Sequence, residues 1–467
     1  MVRRAWLLPA GLVLATVLVA GPSGVAVPAA AERYVQDAWR ENAGLRAREL
    51  DVEEARARLA EVRAALQPRV DLIARYSRAD GGRTIDFPTG DLLNGVYRTL
   101  NDYLAGQGRP PAFPQLANAS IPLLRRTEQE TKLRLTQPLY RPEIGRTAGA
   151  AKAGLEAREA QLAAFRRELR LTVLTGYFGH RQAAGAVRIL ESAAEVTQEA
   201  LRVNRVLAEA GRTTEDRVLR AEADAMMVAQ QLAEARRDRD LASAQLNFLA
   251  GRPLPQPIDE PATGEVEALA EGLAALGVGM ETFSTDGREE RVAAQRALAA
   301  AVSLETAVKA RGQPTLALGV EGGLQGQGYR VGSGEANFVA GSLVAELNIW
   351  DGHERRSALA RAQVERRRME LQLRDTSERL ALQLQQARED YAAALAGYRA
   401  AKARSVASRR AFEVVQRRDR EGLANQLTFL DARNEDTRAG LAHAIAQERL
   451  LVARAALDRA AAITPLP

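Results

Sequence analysis

The sequence predicts a mainly α protein with membrane β-strands, built on long coiled-coil helices and an internal duplication. Three observations carry this reading. Alternate steps of four and three residues from Leu373 pass through Ser377, Leu380, Leu384, Ala387, Tyr391, Ala394, Tyr398, Ala401, Ser405 and Ser408 to Phe412. Such a sustained heptad seam is the signature of a helix wound left-handedly against partners. Four short segments switch to a two-residue period, as strands with two different faces require. Finally, the order helix, strand, strand, long helix, turn, helix occurs twice.

The seam lies in a proline-free stretch from Gly352 to Arg420. Roughly 68 residues at 1.5 Å each make a rod on the order of 100 Å, too long for the interior of one globule. Its seam is rich in Ala and Ser, which allow close approach but fill little volume. This predicts several helices side by side in a wall.

Composition removes several functions. The chain of 467 residues has no cysteine, so disulfides, thiolate catalysis, Cys-based metal sites and a lipidated N-terminal Cys are excluded. Aromatic residues make up only 4%, a poor basis for one large core. The net charge of +6 is carried almost wholly by Arg, with Lys only at 132, 152, 309 and 402. Acids and bases interleave along the helices, so no basic patch for nucleic acid emerges. His180, His353 and His443 are scattered without metal-ligand spacing, and neither a nucleophile elbow nor a phosphate loop is present. We expect no enzyme activity and no cofactor.

At the N-terminus, Arg3 and Arg4 precede an apolar run from Trp6 to Ala20 and a small-residue region ending Ala29-Ala30-Ala31. Residues 1–31 read as a secretory signal peptide. The rest of the chain offers no apolar run long enough for a spanning helix, so any membrane crossing falls to strands.

In chain order, residues 32–250 form a first repeat. A helix from Glu32 to Gln67 stops at Pro68, and a strand at 69–78 follows. A Gly- and Pro-rich loop at 79–129 has a helical patch from Leu92 to Leu104, and a strand at 130–140 leads into a helical hairpin at 143–250 that turns at Gly211. Residues 251–287 are a linker by composition. The second repeat, 288–462, holds a helix, strands at 314–323 and 338–350 around a loop at 324–337, and a hairpin at 353–462; a tail, 463–467, ends the chain. Leu139-Tyr140 matches Ile349-Trp350, Gly211 matches Gly422, and Leu219-Arg220-Ala221 matches Leu430-Asp431-Ala432.

Strands of about ten residues cross a bilayer when tilted, and alternation gives each a lipid-facing and a lumen-facing side. The lipid-facing positions are Val70, Leu72, Leu133, Leu135, Leu316, Leu318, Leu343 and Leu347. Four strands cannot close a barrel, and open edges are not tolerated in hydrocarbon. Two to four copies must share one barrel, three copies with twelve strands being the simplest ring. Because both strand pairs are hairpins, the helices leave on one side of the membrane, and a ring of them makes a hollow tube. The loop 79–129 is then expected at the outer mouth, either partly covering the exit or forming a plain surface loop.

Asn42-Ala43-Gly44-Leu45-Arg46-Ala47, Gln67-Pro68-Arg69-Val70 and Leu135-Thr136-Gln137-Pro138-Leu139-Tyr140, with the duplicated plan, resemble the TolC-like outer membrane efflux proteins over essentially the whole mature chain. The resemblance implies a homotrimer with a 12-stranded β-barrel in outer-membrane lipid, four strands from each protomer, continued by a periplasmic α-barrel. It also implies a duct working with a periplasmic adaptor protein and an inner-membrane transporter of RND, ABC or MFS type. By the same resemblance Asp431 and Thr428 fall at the two positions of an acidic gate ring, and Asp216 at a linking position. Thr428 departs from the pattern, as does Ala424 at the basic linking position; Arg420 or Arg212 is the substitute. Adaptor docking would use the turns Gly211-Arg212-Thr213 and Gly422-Leu423. The alternatives are a periplasmic adaptor, which predicts one hairpin with flanking β-domains, and a coiled-coil scaffold, which leaves the alternating strands unexplained.

Overall fold

The computed structural model describes residues 27–262, 264–276, 283–327, 337–421, 423 and 426–466. Residues 1–26, most of the expected signal peptide, and Gly422 lie outside them, as do the side chain of Arg420 and residue 424. The chain divides into two compact units. One, essentially helical, comprises residues up to 57 with 152–301 and 365–467; the other, built on a sheet, comprises 58–151 and 302–364.

In the helical unit α1 (Ala29–Glu41) and α2 (Ala43–Ala64) precede a first hairpin of α4 (Pro142–Glu209) and α5 (Glu215–Leu249). Then come α6 (Glu265–Leu276), α7 (Glu289–Ala310) and a second hairpin of α8 (Glu354–Arg420) and α9 (Gln426–Ala461). The ends of α2, α4, α7 and α8 belong to the other unit. Every residue of the heptad seam is buried or half-buried, and most of its α8 neighbours are exposed. Leu384, Tyr391, Leu395 and Tyr398 pack with Leu450 and Leu457 of α9. A second core gathers Tyr34 and Val35 of α1, Val173, Tyr177 and Phe178 of α4, and Leu246 of α5.

Three observations bear on the sequence expectations here. The first helix is not continuous to Gln67 but breaks at Asn42, whose backbone is extended. Its Oδ1 accepts the Leu45 N–H at 3.1 Å, the N-cap role that Asn fills well. Its Nδ2 donates to the Leu249 carbonyl at 3.2 Å, pinning the break against the end of α5. Second, Ala30 and Ala31 are buried members of the α1 core, inside the span read as a signal peptide. Third, the segment 251–287 is more than a linker. Asn247 Nδ2 donates to the carbonyls of Leu254 and Gln256, the Asp259 N–H donates to Tyr34 Oη, and α6 lays Ala270 into the core between α8 and α9.

The sheet unit holds one four-stranded antiparallel sheet in the order β1 (Arg69–Arg78), β4 (Thr127–Tyr140), β5 (Thr315–Gly326), β6 (Asn337–Glu346). Between β1 and β4 the chain makes an excursion through β2 (Thr84–Phe87), α3 (Thr89–Gly106) and β3 (Ala119–Pro122), with β2 and β3 paired. The helical patch in the first loop is thus a helix of 18 residues. β6 ends at Glu346, not at Trp350: Glu346 pairs with Thr315, and the residue before Thr315 is Pro314, which has no N–H for a further rung. Leu347 therefore lies beyond the strand whose lipid face it was assigned to.

Candidate functional site

The sheet has two different faces, set by its register. Val70 stands opposite Leu135 and Leu72 opposite Leu133. Leu135 continues to Val320 on β5, and Leu318 stands opposite Leu343 and Leu316 opposite Ala345 on β6. Directly paired residues share a face, so the assigned positions other than Leu347 form one apolar surface. Leu72 is 70% exposed, Leu343 65% and Val339, on the same face, 83%, far above what a finished core permits.

The opposite face is charged. Asp71 pairs with Arg134, which pairs in turn with Glu321, while Arg75 stands opposite Glu130. Lys132 Nζ bridges Glu130 at 2.8 Å and Glu321 at 2.9 Å. Arg75 reaches Glu130 at 3.4 Å, Arg134 contacts Glu321, and Arg69 holds Asp71 at 2.8 Å. A ladder of alternating charge thus runs across the strands, back to back with an exposed hydrocarbon surface. Among the described residues β1 pairs only with β4 and β6 only with β5, so both outer edges of the sheet are unpaired there.

The first hairpin turn is a glycine-terminated helix end. Gly211 has φ +67°, the Arg212 N–H donates to the Leu207 carbonyl at 2.8 Å, and the Gly211 N–H donates to Ala208 at 2.9 Å. This pair of bonds satisfies carbonyls that the end of α4 would otherwise leave open. The second turn shows the matching bond, Leu423 N–H to the Arg418 carbonyl at 2.8 Å. Arg212 and Leu423 are exposed and Thr213 half-buried.

Asp431, Thr428 and Asp216 are all exposed near these turns. The groups acting on Asp216 come from its own turn: the Thr214 hydroxyl first, then Arg220 and Arg217, hold its carboxyl below the usual range. Among the described residues, ion pairs do join the two hairpins further along them. Arg433 Nη2 of α9 meets Asp224 Oδ2 of α5 at 2.5 Å, with both side chains largely buried, and also donates to Asn434. Sequence reading missed it, since each residue looks like an ordinary solvated helix position. Beside it, Arg409 and Arg404 of α8 reach Asp436 and Glu435 of α9 at 3.1 and 2.7 Å.

Further along the hairpins Arg181 of α4 meets Glu448 of α9 at 3.1 Å. Burial pushes the Glu448 carboxyl up to about 7, against the pull of Arg181 and Arg188. Arg288, fully buried, binds Glu290 and the Ala460 carbonyl, and Arg167 binds Glu289 at 2.6 Å and the Thr464 carbonyl at 2.7 Å. The tail is thereby tied to α4 and α7. His180 lies against Ser243 at 3.0 Å, and burial lowers its pKa, the behaviour of a packed histidine.

No protein-family model and no curated protein sequence matches the chain. Solved structures do. A membrane protein from Pseudomonas aeruginosa is 20% identical, with a TM-score of 0.76 over 93% of this chain and 92% of that one. The Campylobacter jejuni CmeC outer membrane channel is 17% identical, with a TM-score of 0.73 over 93% and 85%. The Neisseria gonorrhoeae MtrE outer membrane channel, solved in its open state, is 21% identical, with a TM-score of 0.71 over 92% and 88%. The chain shares the fold of these outer-membrane channels across nearly its whole length.

Proposed function

We propose that this protein is the outer-membrane exit duct of a tripartite efflux or type I secretion system. Three copies close one 12-stranded β-barrel, and their hairpins form a periplasmic tube that passively conducts cargo handed over by an adaptor and an inner-membrane transporter. The observation that carries this reading is the sheet, which is apolar and exposed on one face, charged on the other and unpaired at both edges. Hydrocarbon outside, water inside and a neighbouring copy at each edge satisfy all three at once. Its strands of 10, 14, 12 and 10 residues meet the length of about 9–11 that a tilted crossing needs. The likeness to efflux-type outer-membrane channels supports the same reading. So do the matched hairpins, whose helices of 68 and 67 and of 35 and 36 residues are what a duplication leaves. Two hairpins together with a four-stranded sheet in one chain disfavour the adaptor alternative.

The gate assigned to Asp431 belongs to this proposal. Three copies would set three exposed carboxylates at one level of the tube, repelling one another and attracting cations. The test is single-channel recording from purified protein in planar bilayers, with and without Asp431→Ala. A small cation-selective conductance that rises or loses selectivity on substitution supports duct and gate. Channels indifferent to the change keep the duct and remove the gate from Asp431; a chain that forms no channel and fractionates as a soluble protein refutes the duct.

A further inference from the structure

The excursion between β1 and β4 is built with care yet leaves one flank uncovered. One face of α3, along Gly90, Asn94, Tyr97 and Asn101, is clamped by the strap at 112–118. Asn94 both donates to and accepts from the backbone of Leu116 at 2.8 Å. Asn101 donates to the Phe113 carbonyl at 2.7 Å and accepts the N–H groups of Ala112 and Phe113. Asn118 Oδ1 accepts the Gly90 N–H at 2.9 Å, and Tyr97 stacks on Phe113 with centroids 5.4 Å apart. A Cβ on Gly90 would fall 2.4 Å from the Leu116 carbonyl oxygen, so the strap needs glycine there.

At helical spacing the remaining surface of α3 splits in two. One flank carries Leu92, Leu93, Val96, Leu100 and Tyr103, every one of them exposed. The other carries Asp91, Arg98 and Asp102. Five apolar side chains in a stripe mark an interaction surface, not scattered surface leucines. The β2–β3 ribbon that brackets α3 in the chain carries an apolar side of its own, where Ile85 pairs with Ile121 and Phe87 lies two residues on, all exposed.

We propose that this apolar flank packs against the same excursion of a second copy of the chain, so that copies meet beyond the end of the sheet as well as along its edges. The proposal rests on the reading that several copies share one barrel. Two observations choose the occupant. The excursion springs from Arg78 and returns at Thr127, with the Ala79 N–H donating to the Arg126 carbonyl as a continuation of the β1–β4 ladder. β1 is an outer strand of the sheet, so the excursion starts from the strand that would border a neighbouring copy. A lipid surface is the poorer occupant, since a helix lying on anionic headgroups places Lys and Arg beside its apolar stripe, and this one has two Asp and a single Arg. Packed together, the excursions brace the copies at the mouth of the duct.

The natural absence of cysteine makes the test direct. Val96→Cys in the full-length protein, reconstituted in phospholipid vesicles, is treated with a bis-maleimide of about 8 Å reach. A second protein, Ile73→Cys with Ala340→Cys, reports the sheet edges: β1 and β6 of one chain lie three strand spacings apart, about 14 Å, beyond that reach. The expected result is covalent dimers from Val96→Cys and covalent dimers and trimers from the two-cysteine protein. Edge cross-links with a Val96→Cys that stays monomeric and reacts freely with a water-soluble maleimide would overturn the α3 contact while keeping the shared barrel. Edge cross-links with a monomeric Val96→Cys quenched by brominated lipid after fluorescent labelling would assign the flank to the bilayer and overturn the proposal equally. No cross-link from either protein would sink the shared barrel itself.

Discussion

The two units of this chain handle charge and hydrocarbon in opposite ways. In the helical unit the α8 seam packs into a core with α9, and buried arginines find carboxylates or carbonyls of their own chain, as Arg288 does with Glu290 and Ala460 and Arg433 does with Asp224. In the sheet unit Val70, Leu72, Leu133, Val339 and Leu343 are exposed while the charges opposite them pair across strands, and two strand edges are open. A single copy therefore pairs its buried arginines within its own chain but leaves its sheet incomplete. What the sheet lacks, an apolar medium and more strands, is what a membrane and further copies supply.

The largest way to break this contrast is to put charge on the apolar face. Leu133→Arg is expected to cost about 2–4 kcal/mol in each copy at mid-bilayer depth, and the cost repeats in every copy sharing the barrel. Folded oligomer should vanish from the outer-membrane fraction on unheated gels. Ala340→Arg, placed beside Glu321 on the charged face, should leave it present. Equal losses from the two substitutions would mean that the faces are not distinct in the assembled state.

The helical unit breaks differently, by losing a partner. Asp224→Ala leaves Arg433 buried without its carboxylate, a change that typically costs about 3–5 kcal/mol. A lowered unfolding midpoint, rescued by a second substitution Arg433→Met, is the expected outcome. Failure of the rescue would show that the arginine, not the pairing, holds the hairpins together.

Much of this architecture is legible in the sequence because it repeats a local rule. The seam of α8 shows itself at every three or four residues, and the strands show themselves at every second residue, so errors fall only where a local rule meets a distant partner. The pattern carries on through Leu347 and Ile349, but the ladder stops at Glu346 because Pro314 on the neighbouring strand offers no donor. Periodicity runs α1 into α2, while Asn42 breaks them by capping one helix and reaching the Leu249 carbonyl, 207 residues away. Arg433 and Asp224 lie 209 residues apart, and nothing local distinguishes them from the solvated charges around them. Resemblance led to Asp431 and Asp216 at the turns, where the two are exposed; the buried link lies eight residues further along α5 than Asp216, at a position that no periodicity singles out.

The finest test of the contrast is a proton. Glu448 sits between α9 and α4 with Arg181 as its partner, yet burial dominates and its carboxyl titrates near 7 in the fold against 4.5 as the ordinary value. A raised acid binds its proton more tightly folded than unfolded. Its contribution is full below about 4.5 and is lost as pH rises through about 7, a change of about 3 kcal/mol across that window. The helical unit is thus expected to be more resistant to denaturant at pH 5 than at pH 8. Glu448→Gln, uncharged at every pH and still able to accept from Arg181, should flatten that difference, whereas charges on the solvated face of the sheet should add little slope of their own. Denaturation midpoints of both proteins at the two pH values decide it: an unchanged slope in the variant would mean that Arg181 holds Glu448 ionised throughout and that the helical unit, too, keeps its charges permanently paired.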